Sequence, residues 1–159
     1  MMPDPLVQAL IAHFDSVFEG PNGDYAAVLE AVAGVSVTQA LWKPTPTQNS
    51  IWQIVEHLIA SKEWQIETLR RNVEHGQAAS PVWVEPSGDE AMWQASLARL
   101  QDAHRRLKLA LEQLSEADLL KVPVPEEGRT LLELILSSGP AHEAHHGGQV
   151  DYLKGLQAG

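Results

Sequence analysis

Apolar residues recur every three or four positions along most of this chain, and the segments that carry them are punctuated by prolines and glycines. That period is helical, and it leaves little room for strands. Leu6, Leu10, Phe14 and Phe18 form one face of a first helix, which the run Gly20-Pro21-Asn22-Gly23 ends. Asp24 is predicted to cap a second stretch whose stripe is Ala27, Val28, Ala31 and Val32, with Gly34 near its end. Pro44 and Pro46 keep residues 42–49 out of regular helix. Ser50 and Gln53 match a capping box, which predicts a long helix over residues 50–74 with Ile51, Ile54, Val55, Leu58, Ile66 and Leu69 as its apolar face.

A loop containing Pro81, Pro86 and Gly88 leads to a further helix over residues 89–114, with Met92, Trp93, Leu97, Leu100, Leu107 and Leu111 predicted inside. Its Arg99, Arg105, Arg106 and Lys108 read as a solvated face. Residues 115–128 form a long connection with one short helical turn, and Val122-Pro123-Val124-Pro125 cannot be a central strand because of its prolines. The last helix is predicted over residues 130–156, with a kink or a fresh start at Pro140, which lacks the backbone donor and crowds Leu136. The expected fold is all-α: a four-helix bundle with long connections, forming a single domain over residues 1–159.

Charge and composition narrow the function. Lys and Arg number 11 against 21 Asp and Glu, a formal net charge of −10 spread over both halves, with no basic cluster. Such a surface repels a nucleic-acid backbone. The N-terminal segment lacks a cationic lead and a long apolar run, so neither a secretory signal nor a membrane span is expected, and the expected location is the cytoplasm. There is no cysteine, which removes disulfides, thiolate nucleophiles and cysteine-ligated metals. Any metal must therefore sit on nitrogen and oxygen, and seven histidines are present.

Two of these, His142 and His146, stand at i and i+4, one turn apart on one helix face, where two imidazoles can ligate one ion. They continue the apolar stripe that runs from Ile135 to Leu153, so they should point into the bundle, whereas His145 falls on another face. A third ligand should come from a different helix. His57 is the best candidate, because it follows Ile54 at i+3 beside the apolar stripe. Three neutral imidazoles leave coordination positions open, the pattern of a catalytic metal. The competing reading is a set of core histidines hydrogen-bonded to their neighbours.

Residues 142–146 also spell H-E-x-x-H, the zinc-protease signature. That mechanism needs a third ligand further along the chain, and residues 147–159 contain neither His nor Glu; Asp151 is their only carboxylate. The protease reading fails in its usual form. Glu143 remains as a carboxylate beside a ligand, able to orient it or accept a proton. Gln149, three residues after His146, can hydrogen-bond a ligand or bound water.

Taken together, Trp42-Lys43-Pro44, Asn49-Ser50-Ile51-Trp52-x-Ile54-Val55-x-His57 and His142-Glu143-x-x-His146-x-Gly148-Gln149-Val150 resemble the DinB-like four-helix-bundle superfamily over about residues 6–156. The name denotes a damage-inducible bacterial family. The resemblance implies a three-histidine site for a divalent metal (nickel, zinc, manganese or iron), formed here by His57, His142 and His146. It also implies small-molecule chemistry: members include thiol S-transferases that join low-molecular-weight thiols such as bacillithiol or mycothiol to electrophiles, and proteins of isomerase or hydrolase type. Relatives often pair, which makes a homodimer an expectation.

On this reading a metal activates a thiol or water, with Glu143 and Gln149 as the assisting residues, and any sulfur nucleophile comes from a cosubstrate. The alternative is a metal-binding or ligand-binding stress-response protein without turnover. Of Trp42, Trp52, Trp64, Trp83 and Trp93, Trp52 is the first choice for a wall of the substrate pocket, because it precedes His57 by little more than a turn. Gly147-Gly148 costs about 1 kcal/mol per glycine in a helix, which either close packing beside the site or a loosely ordered last helix would explain.

Overall fold

The structure, a computed structural model, describes residues 4–70 and 83–159. Every regular element among them is a helix: α1 (Pro5–Phe18), α2 (Val28–Val32), α3 (Val37–Leu41), α4 (Ile51–Arg70), α5 (Glu90–Leu111), α6 (Glu116–Leu119), α7 (Leu131–Ser138) and α8 (Pro140–Ala158). The four long helices α1, α4, α5 and α8 form the bundle. In it α4 packs on α5 and α8, and α1 packs on α8 and α5. No helix among the described residues is long and apolar enough to cross a membrane.

Local signals account for most boundaries. Ser50 Oγ accepts from the Gln53 N–H at 3.2 Å and Gln53 Oε1 accepts from the Ser50 N–H at 2.9 Å, so the predicted capping box starts α4. The predicted end of that helix at residue 74, like Pro81, lies outside the described residues. Asp89 caps α5 by accepting from the Met92 N–H at 3.0 Å. Thr130 and Glu133 form a capping box at the start of α7.

Several expectations are corrected. Asp24 does not cap the second helix: α2 begins after Ala27, whose N–H is satisfied by Glu30 Oε2 at 2.8 Å. A helix that the periodicity did not predict, α3, fills residues 37–41, started by a capping box between Ser36 and Gln39. Met92 is 53% exposed rather than internal. At Pro140, by contrast, the expected fresh start is present: Gly139 has a non-helical φ/ψ of −103°/−99° and Pro140 opens α8, so residues 130–156 hold two helices.

Gly139 is also the glycine that the packing requires. A Cβ there would lie 2.3 Å from Phe14 Cζ, whereas at Gly147 it would make only ordinary contacts and at Gly148 it would meet nothing. Close packing at the paired glycines thus does not explain them; it operates at the α7–α8 junction instead.

Two apolar clusters fill the bundle. One gathers Phe18, α2, the first half of α4, Trp93, Leu100, Val150 and Leu153. The other gathers Val7, Leu10, Phe14, Ile66, Leu107, Leu111, Leu131 and Ile135. Between them on α1, α4 and α5 stands a polar residue, Asp15, Lys62 and His104, and Glu143 of α8 joins these through Lys62. The two sections of core are thereby separated by a polar layer.

Candidate metal centre

α4 and α8 bring three imidazoles together. His57 lies two turns into α4, and the capping box at Ser50 fixes where that helix begins. His142 and His146 occupy the first two turns of α8, whose start is fixed by Gly139 and Pro140. Nε2 of His142 lies 3.1 Å from Nε2 of His57 and 3.0 Å from Nε2 of His146. Among the described residues these three form a group whose ligand atoms all lie within 4.8 Å of one another, and no fourth His, Asp or Glu joins them. His145 is exposed.

The donor set fits a metal ion. Two nitrogens that bind one ion at about 2.1 Å lie at most about 4.2 Å apart, and both measured separations fall inside that limit. Nδ1 of His57 and Nδ1 of His142 are buried without a hydrogen-bond partner, and Nε2 faces only other imidazole nitrogens. Three lone pairs directed at one another are unfavourable unless a shared cation or proton lies between them. Burial, reinforced by the neighbouring imidazoles, holds His57 and His142 down to about 4, so they are neutral at pH 7. Burial also lowers His146, opposed by its bond to Gln149. Neutral imidazole is the form that ligates.

The surroundings orient the rings. His146 Nδ1–H donates to Gln149 Oε1 at 2.6 Å, leaving the Nε2 lone pair free. The Trp83 indole stacks on His57 with centroids 4.0 Å apart and an interplanar angle of 7°, and its edge meets His146 at 5.7 Å. Trp83 is held by its neighbour but one: Glu85 pairs with Lys43 at 2.6 Å and accepts from Gln53 Nε2 at 2.7 Å. The tryptophan beside the site is therefore Trp83, which is 40% exposed, and not Trp52, which is buried and donates to Ser96 Oγ at 2.9 Å. The stacking of Trp83 on His57 depends on a loop and has no signature in the sequence.

Glu143 sits beside His142 in the chain but bonds elsewhere. It is fully buried and pairs with Lys62 of α4, which is equally buried. Lys62 Nζ also lies 3.1 Å from His104 Nδ1, and His104 Nε2–H donates to Asp15 Oδ1 at 3.0 Å. Burial pushes the Glu143 carboxyl up and the Lys62 ammonium down, while each partner favours the other's charge. Sequence reasoning passed over Lys62, although a lysine midway between Leu58 and Ile66 on an apolar stripe is a legible signal.

Three imidazoles from two helices of the bundle converge on one point, an arrangement that could hold a metal ion between facing helices. The chain belongs to the DinB superfamily, whose family model matches residues 23–150, a span that includes all three histidines. Among curated proteins and among solved structures nothing matches significantly.

Proposed function

We propose that His57, His142 and His146 hold a divalent metal ion, nickel, zinc, manganese or iron, and that the protein is a metal-dependent enzyme of thiol S-transferase or hydrolase type acting on a small molecule. The observation that carries this reading is the convergence of three neutral imidazole Nε2 atoms on one point without a proton donor supplied from elsewhere. A divalent ion there supplies Lewis acidity toward a thiol or a water. Three protein ligands, with no fourth carboxylate or imidazole in the group among the described residues, favour an open site over a closed structural one.

The chain's own residues would divide the remaining work. Gln149 fixes the tautomer of His146. Trp83 holds the plane of His57 and presents an apolar surface at the mouth of the site. Because the chain has no cysteine, a thiol nucleophile would arrive as a cosubstrate.

Metal analysis of untagged protein, with His57→Ala and His146→Ala as controls, tests the site: stoichiometric metal in the wild type and little in the variants is expected. Equal, low metal in all samples would exclude it. The reaction is tested by incubating metal-loaded protein with a low-molecular-weight thiol and a generic electrophile. Turnover that vanishes in a folded His146→Ala variant supports an enzyme, and full metal loading without turnover of thiol or ester substrates assigns a binding protein.

A further inference from the structure

The polar layer between the two apolar clusters is a buried feature of the bundle that metal ligation does not use. Four residues, one from each long helix, form it: Asp15 of α1, Lys62 of α4, His104 of α5 and Glu143 of α8. Lys62 Nζ is its hub, bonded to Glu143 Oε1 and to His104 Nδ1, and seated 4.4 Å above the Phe18 ring. Lys62 and Glu143 are each only 1% exposed. Desolvating two charges is costly, and an apolar pair of similar volume is often as stable or more so. Stability alone therefore does not account for the pair.

The composition of α8 supplies a reason. Its buried face is Pro140, Glu143, His146, Gly147, Val150 and Leu153. Through its first ten residues this helix carries no large aliphatic side chain, so packing specifies its axial position against α4 poorly. Glu143 stands where a core leucine would stand. Its partner Lys62 lies on the same helix as His57, and Glu143 is one residue from His142 and three from His146. A buried polar contact admits one pairing, whereas an apolar contact tolerates sliding.

We propose that the Lys62–Glu143 pair, braced by His104 and Asp15, sets the register of α8 on α4 and so places His142 and His146 opposite His57. The two residues are positioning residues for the metal centre, and Glu143 acts through Lys62 and the helix rather than on the reacting atoms. This rests on reading the three histidines as a metal centre.

The test compares Lys62→Met, Glu143→Leu and the double variant with the wild type by three measurements: thermal midpoint of the metal-free protein, Co2+ affinity with the visible Co2+ spectrum, and the distance between spin labels on cysteines introduced at Arg70 and Asp151. Cysteine is otherwise absent, so the labels are unique. Each single variant leaves a buried charge unpaired and should lower the midpoint; the double variant should regain most of that loss, yet bind Co2+ at least about tenfold more weakly and show a broadened label distance. A double variant with a recovered midpoint, wild-type Co2+ affinity and an unchanged label distance overturns the proposal. If the double variant does not fold, Lys62→Gln, which keeps a donor but loses reach, decides by the same two readings. Should the wild type itself bind no Co2+, the metal reading fails, and the label distance alone still decides the register.

Discussion

Gln149 Oε1 accepts the Nδ1–H of His146 at 2.6 Å, which commits that imidazole to the tautomer whose Nε2 lone pair points at His142. Gln149 is exposed, so its contribution to packing is small. Gln149→Leu should therefore leave the thermal midpoint almost unchanged while weakening metal binding by about 10–100-fold, as loss of an outer hydrogen bond to a ligating imidazole does. Titration calorimetry with Ni2+ or Zn2+ checks this, and wild-type affinity in a folded variant would show that the tautomer is set elsewhere.

Trp83 stacks on His57, which puts an indole next to the candidate metal centre. Binding of a paramagnetic ion such as Ni2+ or Co2+ should quench part of the tryptophan fluorescence, and most of that quenching should disappear in Trp83→Phe. Because Phe retains an aromatic face for His57, affinity in that variant should stay within a few-fold of wild type. Full quenching in Trp83→Phe would place the ion near another tryptophan.

Acid should act on the site late. His57 and His142 are held near 4 instead of their ordinary 6.5, so protons compete with metal only as the pH approaches that value. Metal affinity, corrected for hydrolysis and buffer, is expected to persist below the ordinary imidazole range and to fall steeply as the pH approaches 4, where protons take His57 and His142. A decline that begins near 6.5 would mean exposed, unperturbed imidazoles.

His104 adds a stability term of the same sign. Burial, reinforced by Lys62, lowers it to about 4 against the pull of Asp15, so between about 4 and 6.5 the unfolded chain binds the extra proton. Its contribution is present above 6.5 and is lost as the pH falls through 4. Urea midpoints of the metal-free protein should drop over that range, and His104→Gln should flatten part of the slope.

Gly139 and Phe14 touch where α7 gives way to α8. Gly139→Ala should destabilise the protein by about 1–3 kcal/mol, as overpacking does, and Phe14→Leu in the same chain should recover part of the loss. Gly148→Ala meets no neighbour and should be neutral or stabilising. Chemical denaturation of the three variants separates these cases.

The helices were legible because their signals are local. The capping boxes at Ser50 and Thr130, the cap at Asp89 and the apolar stripes of α1, α4 and α5 depend on residues within one or two turns. The reading went wrong where a short element needs a neighbour: α3 has few apolar positions to show a period, and α2 starts at a residue with no capping side chain. His142 and His146 could be paired from spacing alone, and His57 could be proposed from its place on a stripe. The buried lysine and glutamate were visible as charges out of pattern, but only a partner at the same level of the bundle makes a buried charge tolerable.

The sequence by itself determined an all-helical chain of four long segments, the absence of cysteine ligands, and the two imidazoles that share a helix face, since each of these follows from composition or from contacts within a few residues. Only the tertiary structure decided that His57 meets them, that Trp83 and not Trp52 lies against the site, and that Glu143 bonds Lys62 across the core. Those contacts join residues between 26 and 89 positions apart, and their geometry is fixed by how α8 seats on α4 and by a loop anchored through Glu85. No local propensity encodes such distances; they emerge when the helices bury their apolar faces together.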